Sequence, residues 1–295
     1  MKFGRKYTLS VEVAPDTNRQ PTKNVVIELP YSCEFVIERT NLASSQTATF
    51  TIYNLGKERR NLLQKDQSNV GELRAIQFRG GYDDIGTPLC FNGTVMSAYS
   101  ERRGVNFVTV IQAYDGGYAM ANGTSNFTIG SGATFKEIMQ HLLNDLPGIA
   151  RQAIIGNFPT KTARGSSYVG NTWNYLMQVS GGLANIDNGQ LKVLQPNEVI
   201  TAEIPVINSA SGLLTSPKRA GSLIEFSMLF EPRLTVGQIV QLESTGVDIL
   251  NGPYKVTGFT HRGMISPSVG GDAVTDVTLW KGTAVFVPVP GEPVQ

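Results

Sequence analysis

The stretch Thr47-Ala48-Thr49-Phe50-Thr51-Ile52-Tyr53 alternates without a break, with Ala48, Phe50 and Ile52 on one face and three threonines on the other. A period of two sends successive side chains to opposite faces of a pleated ribbon, so this is a strand with one buried and one wetted side. Outward from it, strand-like runs are expected at residues 6–14, 24–29, 33–39, 72–80, 89–99 and 105–114. The last two are joined by a polar, glycine-containing hairpin loop at residues 100–104. One short helix interrupts them: Asn54-Leu55 stops the strand, and residues 57–64 carry Leu62 and Leu63. Many short strands at this spacing point to an antiparallel barrel or sandwich.

The middle of the chain changes period. Thr134 and Glu137 form a capping box, each able to satisfy the other's free N–H group. Behind it Phe135, Ile138, Met139, Leu142, Leu143 and Leu146 recur at helical spacing until Pro147-Gly148. A second helix starts at Asn171 or Thr172, buries Trp173, Leu176 and Met177, and stops at Gly181-Gly182. Residues 184–194 read as a hairpin turning at Asn188-Gly189, the φ > 0 pair a type I′ turn requires. Strands return at residues 222–230, 238–244, 254–261 and 274–280, with Asn251-Gly252 as a further tight turn. The expected fold is therefore mainly β with an α+β insert: two β-barrel domains of similar topology flank a small α+β middle domain. The barrels take residues 1–118 and 212–286 and the insert residues 119–211. Residues 287–295 hold Pro288, Pro290 and Pro293 and are expected as an extended tail.

Composition narrows the function. Charged residues make up 17% of the 295, against roughly 25% in ordinary soluble domains, which suits a subunit that hides surface against neighbours. A net charge of +1 disfavours holding nucleic acid by phosphate neutralisation. Cys33 and Cys90 lack the spacing of a disulfide framework or zinc site and read as free thiols, both buried or one buried and one partly exposed. No secretion signal opens the chain, and no apolar run approaches the roughly 18 residues of a membrane span. Synthesis in the cytoplasm without membrane insertion is expected.

The search for chemistry finds no nucleophile–base constellation. His141 sits on the rim of a helix's buried face and His261 at a strand end, both read as structural. Gly130-Ser131-Gly132 precedes a helix but lacks the lysine of a phosphate loop. Asp83-Asp84, beside Gly81 and Gly86, is accounted for by turn chemistry without a glycosidase pair. The aromatic residues read as dispersed over strands. No catalytic residue, metal ligand or cofactor site is expected.

Three groups of residues carry a family resemblance. The closing part holds Leu229-Phe230-Glu231-Pro232, Leu234-Thr235-Val236-Gly237-Gln238, Val240-Gln241-Leu242-Glu243-Ser244, Asn251-Gly252-Pro253-Tyr254-Lys255-Val256 and His261-Arg262-Gly263. The opening part holds Phe50-Thr51-Ile52-Tyr53-Asn54-Leu55, Gly80-Gly81-Tyr82 and Phe91-Asn92-Gly93-Thr94-Val95. Between them, Thr172-Trp173-Asn174-Tyr175-Leu176 leads to Asn188-Gly189-Gln190-Leu191-Lys192-Val193. In this order they resemble phage tail baseplate hub proteins, the central hub of contractile tails, related to the hub part of type VI secretion spikes.

That resemblance implies a homotrimer whose six barrels form a pseudo-sixfold ring around a channel. One side would meet the tail tube or a tube-initiator protein and the other the spike, with DNA only as cargo. Such a subunit is assembled in the host cytoplasm and resides in the virion's tail baseplate. The alternatives are a tail-associated peptidoglycan hydrolase or carbohydrate-binding module, and a tube-initiator subunit, which is usually a single barrel. In the tail, Phe286, Val287 and Val289 are expected to contact an adjacent subunit or another baseplate component; the alternative is a tail lying along its own chain.

Overall fold

The computed structural model describes residues 4–13, 23–41, 46–68, 73–158, 165–201, 205–267, 270–282 and 285–289. The expected strand start at residue 72 and tail residues 290–295 lie outside them. The opening third contains β1 (Arg5–Val13), β2 (Lys23–Glu28), β3 (Cys33–Thr40), β4 (Gln46–Tyr53), α1 (Lys57–Leu63), β5 (Ala75–Tyr82), β6 (Leu89–Arg103) and β7 (Asn106–Asp115). The alternation that opens the sequence reading is β4, whose even-numbered residues Ala48, Phe50 and Ile52 are buried. Phe50 packs among Phe78 and Phe91, with ring centroids 5.0 and 5.9 Å away. Each such fully buried side chain contributes roughly 1.5–3 kcal/mol relative to exposure.

The middle contains α2 (Gly117–Asn122), β8 (Thr124–Ile129), α3 (Phe135–Asn144), β9 (Ala153–Ile155), β10 (Ser166–Asn171), α4 (Thr172–Ser180), β11 (Ala184–Asp187), β12 (Gln190–Val193) and β13 (Glu198–Ile200). The capping box is present as read: Glu137 N–H donates to Thr134 Oγ1 and Thr134 N–H to Glu137 Oε2. Asn188 and Gly189 both have positive φ, 54° and 73°, and close the β11–β12 hairpin. The last part adds β14 (Val206–Ile207), β15 (Lys218–Ala220), β16 (Leu223–Leu229), β17 (Ile239–Leu242), β18 (Gly252–Ile265), β19 (Ala273–Trp280) and β20 (Val287–Val289).

Strands from the opening and closing parts join in one sheet of 13 strands. Its path runs β15-β16-β19-β18-β3-β4-β7-β6-β5-β1-β2, with β17 attached to β18 and β14 to β17. The splice is β18. Its first residues pair with β17, Lys255 opposite Ile239, and its last eight pair with β3, from Gly258–Thr40 to Ile265–Cys33. A register shift between Val256 and Gly258 against β19 marks the change of partner. Accordingly Phe230, Ile265 and Ala273 lie in the core built by the opening strands. A second core gathers residues of the middle part, from Ala119 to Val193, and a third lies between Ile207 and Leu279.

The structure differs from the sequence reading in the β6–β7 hairpin. The loop expected at residues 100–104 is instead strand through Arg103, and Gly104 (φ 62°) with Val105 makes the turn. Ser100 and Thr109 share a hydroxyl–hydroxyl hydrogen bond of 2.9 Å and Arg103 pairs with Glu101, so polar residues extend the ladder without a buried face.

Candidate functional site

The charges buried deepest meet where the three stretches of chain touch. Arg39, from β3, places Nη1 2.7 Å from Asp115 Oδ2 at the end of β7 and 3.3 Å from Asp187 Oδ1 at the end of β11. Its Nη2 donates to the Cys90 carbonyl and to Asn188 Oδ1. Lys192, from β12, sits 2.6 Å from Asp187 and reaches the Val236 carbonyl. Gly189 N–H donates to Asp115 Oδ1. Two cations thus face two carboxylates, all buried, and burial is tolerable because the charges are matched, although Arg39 Nε has no hydrogen-bond partner among the described residues. Lys192 and Arg39 hold Asp187 below the usual carboxylate range although burial, the largest single influence, acts the other way. Burial raises Asp115 despite Arg39. The β11–β12 turn is thereby clamped to β3, β6 and β7.

Beside this clamp lies a cleft of about 1050 Å³, at the upper end of the roughly 300–1,000 Å³ usual for ligand pockets. Its floor is the face of β16, β19 and β18 that carries Glu225, Ser227, Asp276, Thr278, Trp280 and Thr257. The opposite wall is Leu183, Asn185, Leu194 and Pro196. Arg39, Asn185 and Lys255 line it while being buried. Lys255 Nζ donates to the carbonyls of Gln195 and Pro196, 3.2 and 3.1 Å away. No carboxylate lies within ion-pair distance of it among the described residues, and burial pushes its ammonium pKa down to about 8. Glu198 raises it only through the longer-range field; that carboxylate itself accepts from the N–H groups of Asn157 and Gln195.

The expected tail contacts are placed as follows. β20 pairs in parallel with β13, Val287 opposite Glu198 and Val289 opposite Ile200. Val289 is buried with Ile154, Ile200 and Leu194. Phe286 is half-buried, its ring edge-on to Trp280 at 6.4 Å. For residues 286–289 the contacts seen are with the chain's own strands.

His261 is buried, its Nδ1 2.8 Å from Thr275 Oγ1, and burial followed by the Arg39 charge pushes its pKa down to about 3. His141 is exposed and stacks on Phe127. Both cysteines are buried and free, with burial raising Cys33 and pushing the Cys90 thiol up to about 12. Asp83 is an exposed partner of Lys6. Among the described residues no three His, Cys, Asp or Glu side chains converge as a metal site, and no helix is long and apolar enough to cross a membrane.

The reading of the aromatic residues as dispersed needs correction. Phe127, His141, Tyr168 and Tyr175 cluster on the middle part, with Tyr168 and Tyr175 stacked at 4.3 Å. The fold brings β8, β10, α3 and α4 together, which no local pattern announces. The clamp was missed as well, although its signal is present: Arg39 continues the alternation of Cys33, Phe35 and Ile37 on the buried face of β3, and Asp187 and Lys192 are the single charges of β11 and β12.

Comparison with known proteins adds the following. A family model described as baseplate hub gp41 matches residues 10–262. No curated protein matches the sequence. Among solved structures, the 43 kDa tail protein of prophage MuSo2 from Shewanella oneidensis aligns with a TM-score of 0.60 at 7% identity, covering 98% of this chain and all of that one. A tail protein from Neisseria meningitidis MC58 aligns at 0.56 and 10% identity, covering 95% and 97%. An E. coli component of the type VI secretion system, described as structurally similar to the T4 tail proteins gp27 and gp5, aligns at 0.52 and 10%, covering 90% and 78%. At such identities the likeness is one of fold.

Proposed function

The chain belongs to the baseplate hub gp41 family, so it is a structural component of a phage tail, and we propose that three copies close into a pseudo-sixfold ring joining the tail tube to the central spike. In this reading each subunit contributes two barrels of one topology, and the ring passes DNA only as cargo. The observation that carries it is the single sheet running from β15 to β2 through β18. That continuity makes the opening and closing parts one stiff body, as a subunit transmitting force between tube and spike requires. Both ends of the sheet lack a strand partner among the described residues, and neighbouring copies are a natural cover for open edges. The clamp at Arg39 supports the same role, because its charged groups are spent on ion pairs that hold parts of the chain together. We propose no catalytic activity.

Native mass spectrometry tests the reading: three copies are expected, whereas six would favour a tube ring and one an isolated module. Release of fragments from purified cell-wall material by this chain, lost on changing His141, His261, Asp83 or Asp84, would overturn the non-catalytic part.

A further inference from the structure

Lys255 is a buried cation without a carboxylate partner among the described residues, and it lines the large cleft. An unpaired buried charge is expensive to keep, and where it borders an opening the arrangement suits an incoming anion. Asn185 strengthens this. It lines the same cleft, is 6% exposed, and its side chain makes no hydrogen bond within the described chain. The remaining cations of the lining are already matched: Arg39 by Asp115 and Asp187, and Lys218 by Glu225. Around them Leu183, Leu194, Pro196 and Trp280 offer apolar surface. The cleft therefore asks for an extended segment with one carboxylate between apolar residues.

The chain carries such a segment: Pro290-Gly291-Glu292-Pro293-Val294-Gln295, in which Glu292 is the only acid. Its proline content lowers the entropy of ordering it on a surface. Direction decides whose segment it is. β20 runs parallel to β13, so from Val287 to Val289 the chain moves from Glu198 to Ile200, with Val289 in the cluster that Leu194 joins and away from the Gln195 and Pro196 carbonyls that hold Lys255. A chain continuing in that direction for six residues, roughly 20 Å when extended, moves farther from Lys255.

We propose that the cleft receives residues 290–295 of a neighbouring copy, with the Glu292 carboxylate seated against Lys255 and Asn185. This rests on the multi-copy reading above.

The test mixes full-length chains carrying Ser216→Cys, at the cleft, with chains carrying Val294→Cys, under native oxidation. Cys33 and Cys90 are buried and stay out of the reaction. Disulfide-linked dimers between the two variants are expected. Adding Glu292→Gln to the second chain should lower their yield at least about tenfold. That substitution keeps the size and polarity of the side chain and removes only its charge, so misfolding does not imitate it. Lys255→Met in the first chain should do the same. Dimers indifferent to Glu292→Gln, or no dimers from a chain that native mass spectrometry finds trimeric, overturn the inference and leave the ring intact. A double-cysteine chain that closes on itself, with no dimers on mixing, assigns the cleft to the chain's own tail and overturns it too. A chain found only as monomer removes the ring reading and this inference with it.

Discussion

Arg39 faces two carboxylates, a backbone carbonyl and an asparagine oxygen from inside the protein. Replacing it by methionine keeps much of the stem but leaves two buried aspartates beside a single lysine. Removing one partner of a buried ionic group costs about 3–5 kcal/mol, so Arg39→Met should lower the urea-unfolding free energy by that amount; a loss below about 1 kcal/mol would show that the clamp is not a structural element. His261 makes a second prediction through pH. It is neutral in the fold, with a pKa of about 3, while in the unfolded chain it takes up a proton below its ordinary value near 6.5. The unfolded state thus binds more protons between pH 3 and 6.5. The stability His261 contributes is complete above that window and is lost as pH falls through it. Its share of the slope approaches about 1.4 kcal/mol per pH unit. His261→Phe should flatten the acid limb of a stability–pH curve measured from pH 4 to 7, while losing the hydrogen bond to Thr275.

At the scale of elements, β18 has the most demanding environment because it pairs with three strands, β17, β3 and β19. Gly263 shows how tight this is. A Cβ there would lie 2.4 Å from the Asp272 carbonyl oxygen and 2.6 Å from Ala273 Cα, both backbone atoms that cannot step aside alone. Gly263→Ala should therefore cost about 1–3 kcal/mol, whereas Gly130→Ala, with nothing within 4 Å, should stay within about 0.5 kcal/mol. Equal effects in chemical denaturation would contradict this account of β18. The same strand marks the limit of what the sequence discloses. Local signals named β4 by its alternation, α3 by its capping box and the β11–β12 hairpin by Asn188-Gly189, because each is set by neighbours a few residues apart. Residues 254–261 also read as a strand, yet nothing in them says that the strand continues to Ile265 and changes partner from β17 to β3. That choice depends on Gly258 opposite Thr40 and Ile265 opposite Cys33, contacts across more than two hundred residues. The clamp and the cleft arise from the same long-range meeting and were hidden for the same reason.

For the whole molecule, the question is which surfaces a ring would cover. Charged residues are sparse, and the far end of the β6–β7 hairpin exposes Tyr99, Val105 and Phe107, with Val105 89% accessible at the turn. Phe107 has a local role, since the Arg60 guanidinium lies 3.8 Å above its ring. Val105 has none: it follows Gly104 at the tip and belongs to no hydrophobic cluster. An exposed apolar side chain at a hairpin tip is a candidate anchor for a subunit contact. Obligate ring interfaces bury upward of about 2,000 Å² in total, with a few apolar anchors carrying much of the energy. Val105→Asp then separates folding from assembly. Placing a charge on an exposed turn should leave the monomer's unfolding free energy within about 0.5 kcal/mol. Burying that charge at a subunit contact should raise the dissociation constant of the assembled form at least about tenfold. Sedimentation velocity across a dilution series, run beside urea denaturation, reads both quantities. Weakened association with unchanged folding places the hairpin tip in the interface. Unchanged association places it on the ring's free surface, where Val105 meets only water.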